Sequence, residues 1–414
     1  MRQAFLDRFL RYVAISSQSS VKAGVVPSSE GQWTLARLLQ EELTSLGFQD
    51  IALSEHCVLT AKLPSNLPAG KKAPAVGWCA HLDTVDVGIS PDIHPQVIAN
   101  YQGGDICLNP SEDLWLRVKD HPEIEKYKGD DIVVSDGTSV LGADDKSAIA
   151  NIMTVMAKVV DENLPHGDIY LAFVPDEEIG LCGSKVMDFS RFPVDYAYTI
   201  DCCELGEVVW QTFNAGGAKL EIQGVMAHPM SSKGVLVNPT LVAVDFANMM
   251  NRGETPEFTA DTEGFVWINS IVSSPSKATV TMKIRDHNRE KYEHKKALIR
   301  AAHEYLKVRY PQIKIELSMS DTYSNIADAL TEENRSGLDH LYRALELANV
   351  KPNTIAMRGG TDGSFISTQG ILTPNYFTGA HNFHSNCEFL PLCSAEKSMA
   401  VTLALVGLAA GTIE

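Results

Sequence analysis

The fold turns on the stretch Val76-Gly77-Trp78-Cys79-Ala80-His81-Leu82-Asp83-Thr84-Val85. Its first half is apolar and free of polar side chains, which predicts a buried strand. A histidine and an aspartate follow two residues apart, where such a strand would emerge. In an α/β sheet, ligands bind at the carboxyl ends of strands. On extended backbone, positions i and i+2 share one face. The imidazole can then bind a metal while the carboxylate fixes its tautomer. A polar turn after a strand is the plain alternative, so the other strand ends decide.

Outward from this strand, the pattern alternates. A charged amphipathic helix opens the chain, and a polar loop from Ser16 to Ser20 follows. Ser29-Glu30-Gly31-Gln32 has the spacing of a capping box before a helix carrying Leu35, Leu38, Leu39, Leu43 and Leu46, closed by Gly47. Strands are expected over 58–63, 75–80, 168–174 and 196–200, and a helix from near Lys146 through Val159. Residues 88–130, polar and punctuated by Pro and Gly, read as a long loop. Alternating strands and helices imply an α/β fold with a mainly parallel sheet.

From residue 214 the order becomes β-α-β-β-α-β, that of a ferredoxin-like α+β unit. Its strands fall near 220–222, 265–272, 278–284 and 313–319, and its helices near 241–250 and 289–308. The β/α pattern then resumes with a helix over 338–347, strands over 354–357 and 372–377, and a final apolar helix over 395–408. The expected organisation is a discontinuous catalytic domain, 1–213 and 326–414, with an inserted domain, 214–325.

The 414 residues carry 35 basic and 52 acidic side chains, a net charge of −17. That balance argues against nucleic acid or an anionic membrane surface as partner. No apolar run is expected to reach membrane-spanning length, and the N-terminus does not read as a signal peptide. The eight cysteines lack paired Cys-x-x-Cys spacing, which predicts reduced thiols in a cytoplasmic protein.

Each expected strand end carries chemistry. The first gives His81 and Asp83. Gly142-Ala143-Asp144-Asp145-Lys146 opens a helix, Pro175-Asp176-Glu177-Glu178 closes the 168–174 strand, and Asp201 closes the next. His381 and His384 come late, the second four residues before Glu388. Each alone has an ordinary explanation: a helix cap, a solvated turn, a loop histidine. Together, two imidazoles and several carboxylates suit zinc, cobalt or manganese. A carboxylate-rich site suits two cations about 3.5–4 Å apart sharing a bridging carboxylate and hydroxide. Of Glu177 and Glu178, one can bind metal while the other moves the proton. Competing motifs fail, since His303-Glu304 lacks a second histidine, Ala143 replaces the lysine of a phosphate loop, and no Gly-x-Ser-x-Gly is present.

The set resembles the M20 metallopeptidases. The matching segments are 81–85, 100–106, 141–146, 175–180, 198–201, 358–363 and 384–388, in the family's order along nearly the whole chain. Asn100-Tyr101-Gln102-Gly103-Gly104-Asp105-Ile106 points more narrowly to its tripeptide aminopeptidase branch. The resemblance implies a zinc-dependent exopeptidase with two Zn2+ per subunit, bridged by Asp144. His81 and Asp201 would complete one site, and Glu178 and His384 the other. Asp83 would orient His81, Glu177 would be the general base, and a cis peptide would follow Asp144. His228 would stabilise the oxyanion, while Arg358 and, more weakly supported, Arg285 would hold the peptide's carboxylate. It also implies that the inserted domain, 214–325, is a lid through which a homodimer pairs. Alternatives are an M20 hydrolase of dipeptides or N-acyl amino acids, and a non-catalytic metal-dependent binding protein. The chain departs from the family pattern at Cys202, Cys203, Leu181, Cys182, Met226 and Ala227, positions that bear on substrate preference.

Overall fold

The apolar run ending at His81 forms the strand Val76–His81, and all six of its residues are buried. The computed structural model describes residues 1–413. This strand lies between Ile169–Val174 and Tyr196–Cys202, parallel to both. Asn375–Phe377 continues the parallel set beside Tyr196–Cys202. Strands covered on both faces have no polar side to show, which is why these segments read as continuous apolar runs. Antiparallel strands extend the sheet, Leu59–Leu63 and then Gln49–Leu53 on one side, Glu207–Gln211 on the other. With Asn353–Ala356 at the edge, eight strands result. Because the central strands run the same way, His81, the 175–178 turn and Asp201 leave the sheet at one edge.

The chain divides into two compact units. The first comprises Met1–Val209, Leu330–Ile355 and the segment from Thr361 onward; the second comprises Trp210–Ala329 and Ala356–Gly360. In the first, the helix Ala143–Asp161 is buried along almost its whole length. It packs against Arg2–Val13 and Leu392–Ala409. By length and composition Leu392–Ala409 could cross a membrane, contrary to the expectation that no segment would; most of it is buried inside the protein. A helix apolar on all sides is satisfied by a core as well as by lipid.

Two local expectations also differ. Residues 88–130 are not a plain loop. Gln96–Ile98 pairs with Ile132–Val134, Ile106–Asn109 with Leu114–Leu116, and Pro122–Tyr127 is a 3-10 helix. Tyr101, Ile106, Leu108, Leu116 and Ile124 give this region a small core. Strands of three or four residues are too short for periodicity to reveal. Ser29 does precede the helix Glu30–Ser45, but its side chain makes no cap bond. Gln32, the capping-box partner, donates to the Ser29 hydroxyl at 3.1 Å and to Asp176 at 2.7 Å.

In the second unit, four antiparallel strands lie in the order Phe265–Ser273, Lys277–Asp286, Asn214–Gln223, Lys314–Tyr323. Helices Pro239–Met249 and Arg289–Arg309 pack with this sheet. Leu220, Ile222, Val280, Met282, Ile284, Phe246 and Ile299 form its core. The order in sequence is β-α-β-β-α-β.

Candidate metal centre

The site grows from the sheet edge of the first unit. His81, the last residue of its strand, is buried, and its Nε2 lies 2.8 Å from Asp144 Oδ1. On the other side of Asp144, Oδ2 lies 3.0 Å from His384 Nε2. Glu178 Oε1 is 2.9 Å from that same His384 nitrogen. Ligand atoms of His81, Asp144 and Glu178 fall within 4.8 Å of one another, and so do those of Asp144, Asp145 and Asp201. Asp144 belongs to both groups. The peptide from Asp144 to Asp145 is cis.

Four of these side chains stand on backbone that buried groups hold in place. The His81 N–H donates to Asp145 Oδ2 at 3.1 Å. The Asp144 N–H donates to Glu388, whose carboxylate also accepts the N–H groups of Leu141, Gly142 and Ala143 at 2.8–2.9 Å. Gly142 has φ +73, a backbone that glycine adopts without strain. The Asp201 N–H donates to Asn375 Oδ1 at 2.7 Å. Asp83 is fully buried, and its two oxygens accept the N–H groups of Glu177 and Glu178 at 3.0 and 3.2 Å. The nearest partner of His81 Nδ1 is the Asp83 backbone oxygen at 3.0 Å, with the Asp83 carboxylate at 3.4 Å. Asp83 therefore acts on both the histidine and the glutamate turn. His384 differs: it has φ +61, and 46% of its side chain is exposed.

Electrostatics mark the cluster as one that needs a cation. Burial pushes the carboxyls of Asp145, Asp201 and Glu177 well above their ordinary range. Burial, then the charge of Asp144, pushes Glu178 up to about 7. Burial alone would raise Asp144, but hydrogen bonds from His384 and His81 take it below the usual carboxylate range. Hydrogen bonds to Asp144 and Glu178 push His384 up to about 10. Asp145 Oδ1 is buried with no hydrogen-bond donor. Buried anions persist only when paired or when they coordinate metal. One group of nitrogen and oxygen ligand atoms and one of carboxylate oxygens, sharing Asp144 and including the unpartnered Asp145 Oδ1, fit a dinuclear centre.

His381 stays apart from this cluster. It is buried, stacked on Phe389 at 4.7 Å, and its Nε2 meets the Tyr127 hydroxyl at 2.7 Å. Cys202 is buried and Cys203 partly so, and burial raises both thiols. Such thiols are poor nucleophiles.

The other three singled-out residues belong to the second unit. His228 Nδ1 accepts the Met230 N–H at 3.2 Å, so the neutral ring carries its proton on Nε2. Arg285 donates to the backbone oxygens of Gly216 and Ile284 at 2.9 and 2.8 Å. Arg358 donates to Asp261 O, Glu263 O and Thr259 Oγ1 at 2.8–3.1 Å, with its guanidinium over the Phe213 and Phe265 rings.

Asp145, Glu388 and Asn375 were not singled out from the sequence. A doubled aspartate at 144–145, and a glutamate four residues beyond His384, were the available signals for the first two. Nothing local marks Asn375, because the sheet alone brings it beside Asp201.

A mainly parallel sheet whose strand ends gather buried carboxylates and imidazoles around one shared aspartate is the architecture of a dinuclear metallohydrolase. Residues 137–407 match Peptidase family M20/M25/M40, and the chain belongs to that family. A "Peptidase T-like protein" of Yersinia pestis is 48% identical over 402 residues, 97% of each chain. Peptidase T of a Geobacillus species is 37% identical over 409 residues, 99% of each. The crystal structure of aminopeptidase PepT from Bacillus cereus superposes with a TM-score of 0.77 at 20% identity, covering 99% of both chains. That likeness speaks for the fold.

Proposed function

We propose that this chain is a zinc-dependent aminopeptidase that removes the N-terminal residue from short peptides, tripeptides above all. The observation that carries the reading is Asp144, shared by two groups of metal-competent side chains beside a Glu177 that belongs to neither group. A binding protein needs ligands but no spare carboxylate. The relatives bearing the name Peptidase T, similar over their full length, support the same activity.

In this reading His81, Asp144 and Asp201 hold one ion and Asp144, Glu178 and His384 the other, a division that cuts across the two observed groups, where His81 falls with Glu178 and Asp201 with Asp145; Co2+ or Mn2+ are substitutes for Zn2+. When bound, zinc supplies Lewis-acid polarisation of the scissile carbonyl and lowers the pKa of water at the site. Glu177 takes a proton from the attacking water and delivers it to the leaving amine. Asp83 positions the turn beneath Glu177 and orients His81. His228, its Nε2 proton free to donate, stabilises the oxyanion. Arg358 and Arg285 hold the peptide carboxylate, a task that requires them to exchange the partners they have within the second unit.

Residues 1–213 and 326–414 form the catalytic domain and 214–325 the inserted lid. The strand Phe265–Ser273 lies at the lid's sheet edge and exposes Trp267, Ile271 and Val272, which supports a homodimer paired through the lid. Eight free cysteines support residence in the reducing cytoplasm.

A second reading, an M20 hydrolase of dipeptides or N-acyl amino acids, has its own support. Relatives 48% identical are called Peptidase T-like, whereas those called Peptidase T stand at 36–38%. Arg285 and Arg358 also spend their donors inside the second unit. Metal-loaded protein offered matched di-, tri- and tetrapeptides and N-acyl amino acids separates the two. Tripeptide cleavage with release of the N-terminal residue supports the first; turnover confined to dipeptides or acyl amino acids replaces it with the second.

A further inference from the structure

The turn that presents Glu177 and Glu178 is gripped from two sides, and only one grip is made by a strand-end residue. Asp83 holds the N–H groups of both glutamates. The other grip is on Asp176, the residue before them. Asp176 is fully buried and has φ +57, a left-handed backbone uncommon for a non-glycine residue. Its carboxylate accepts the Ser28 N–H at 2.7 Å, the Ser28 hydroxyl at 2.5 Å and Gln32 Nε2 at 2.7 Å. Its own N–H donates to Gln32 Oε1 at 3.0 Å.

Gln32 thus makes a reciprocal pair with Asp176 across 144 residues of sequence. It is fully buried, one turn into the helix Glu30–Ser45. This is the side chain that a capping box would turn back on its own helix; it keeps a bond from Nε2 to Ser29 Oγ at 3.1 Å and makes its shorter bonds to the glutamate turn. The segment before it is tied in as well, since the Ser20 N–H donates to Ser28 Oγ at 2.8 Å. The same segment braces the His81–Asp83 stretch. Ser17 Oγ donates to Leu82 O, and Ser19 N–H donates to Thr84 O, at 2.7 and 3.0 Å. A left-handed residue persists where its surroundings over-determine it, and such sites cluster at functional positions.

We propose that Gln32 and Ser28 are positioning residues, which act through Asp176 to set the glutamate turn for metal binding and proton transfer. The proposal rests on the reading of Glu178 as a ligand and Glu177 as the base. Neither Gln32 nor Ser28 touches the reacting atoms. They fix the backbone from which the two glutamates project, and a small displacement of that backbone moves both side chains together.

The test is Gln32→Leu, which keeps side-chain bulk and removes both bonds to Asp176 together with the one to Ser29 Oγ, with Ser28→Ala as the milder variant. Metal affinity of the stripped protein is measured by competition with a chromophoric chelator for Zn2+, with no peptide present. Peptide hydrolysis by the reloaded protein is measured separately. For Gln32→Leu the expected result is about 10-fold weaker binding of one zinc equivalent, the lower end of what supporting residues cost a metal site. A kcat lowered at least as much, with KM within about 2-fold, should accompany it. Ser28→Ala should move both quantities the same way by less, and it decides the matter if Gln32→Leu does not fold. Unchanged zinc affinity and kcat in whichever variants fold, whatever the melting temperature does, would overturn the proposal and leave a simple fold brace. If the unaltered protein binds two zinc ions yet cleaves no peptide, the functional reading falls while the chelator measurement still judges Gln32.

Discussion

His81, Asp144, Glu178 and Asp201 stand on backbone whose N–H groups donate to Asp145, Glu388, Asp83 and Asn375. His384 stands on an exposed turn. The side chains of His81, Asp144 and Glu178 are 2, 8 and 7% exposed, against 46% for His384. The contrast is between residues buried when the sheet folds and a residue that stays half open to solvent. Ordering a side chain costs conformational entropy. For the first four that cost falls on folding, and for His384 part of it falls on ion binding. The two proposed metal positions are therefore unequal, and the one that depends on His384 should hold its ion less tightly.

Glu177 sharpens this contrast most. It shares the clamped turn with Glu178, and the Asp83 carboxylate holds both N–H groups. If the clamp serves geometry and Glu177 serves proton transfer, Glu177→Gln should keep both metal ions and lose activity. General acid–base contributions of about 10²–10⁴-fold set the expected fall in kcat. Metal content by elemental analysis beside steady-state kinetics checks it. A variant that lost an ion would make Glu177 a ligand and erase the division of labour between the neighbouring glutamates.

Asp83→Ala attacks the clamp itself. It leaves two N–H groups of the glutamate turn without their acceptor and removes the carboxylate beside His81. Residues supporting a metal site typically contribute 10–100-fold in affinity or activity, and about that loss in zinc affinity is expected. The far-ultraviolet circular dichroism spectrum should stay that of the folded protein. Wild-type zinc affinity in this variant would mean that the sheet edge needs no clamp.

How much of this was legible in the sequence depends on the range of the interaction. The four parallel strands and the β-α-β-β-α-β order were readable because buried strands and amphipathic helices write their periods locally. His81, Glu177, Glu178 and Asp201 were readable as candidates because strand ends are where an α/β sheet gathers ligands. The supports were not. Gln32 with Asp176, Glu388 with the 141–144 turn and Asn375 with Asp201 are pairs separated by 144 or more residues. Gln32 even carried the pattern of a different local role. A side chain that can satisfy either its own helix end or a distant turn is assigned only by the tertiary structure.

His384→Ala tests the inequality directly. It should cost the protein one of two zinc equivalents, while the affinity for the remaining ion changes by less than about 10-fold, below the range for a supporting residue. His81→Ala should instead weaken the tighter ion. Chelator competition on the two stripped variants compares them. Equal loss of both ions in both variants would show a single cooperative centre, and the distinction between buried and exposed ligands would have no thermodynamic meaning.

The smallest effect is expected three residues away. His381 lies on the same segment as His384 but points into packing: its ring stacks on Phe389, and Nε2 meets the Tyr127 hydroxyl. His381→Phe preserves the stack and leaves that hydroxyl without its partner. An unsatisfied buried hydroxyl costs about 1–3 kcal/mol, which denaturant unfolding should register as lost stability. Zinc stoichiometry and affinity should not change, because the ring is engaged away from Asp144. The two histidines then differ in the way their surroundings require, one exposed and ligand-competent, the other buried and structural. Loss of zinc from His381→Phe would mean that the whole 381–388 segment is held through its buried histidine, and that the placing of the exposed His384 depends on packing behind it.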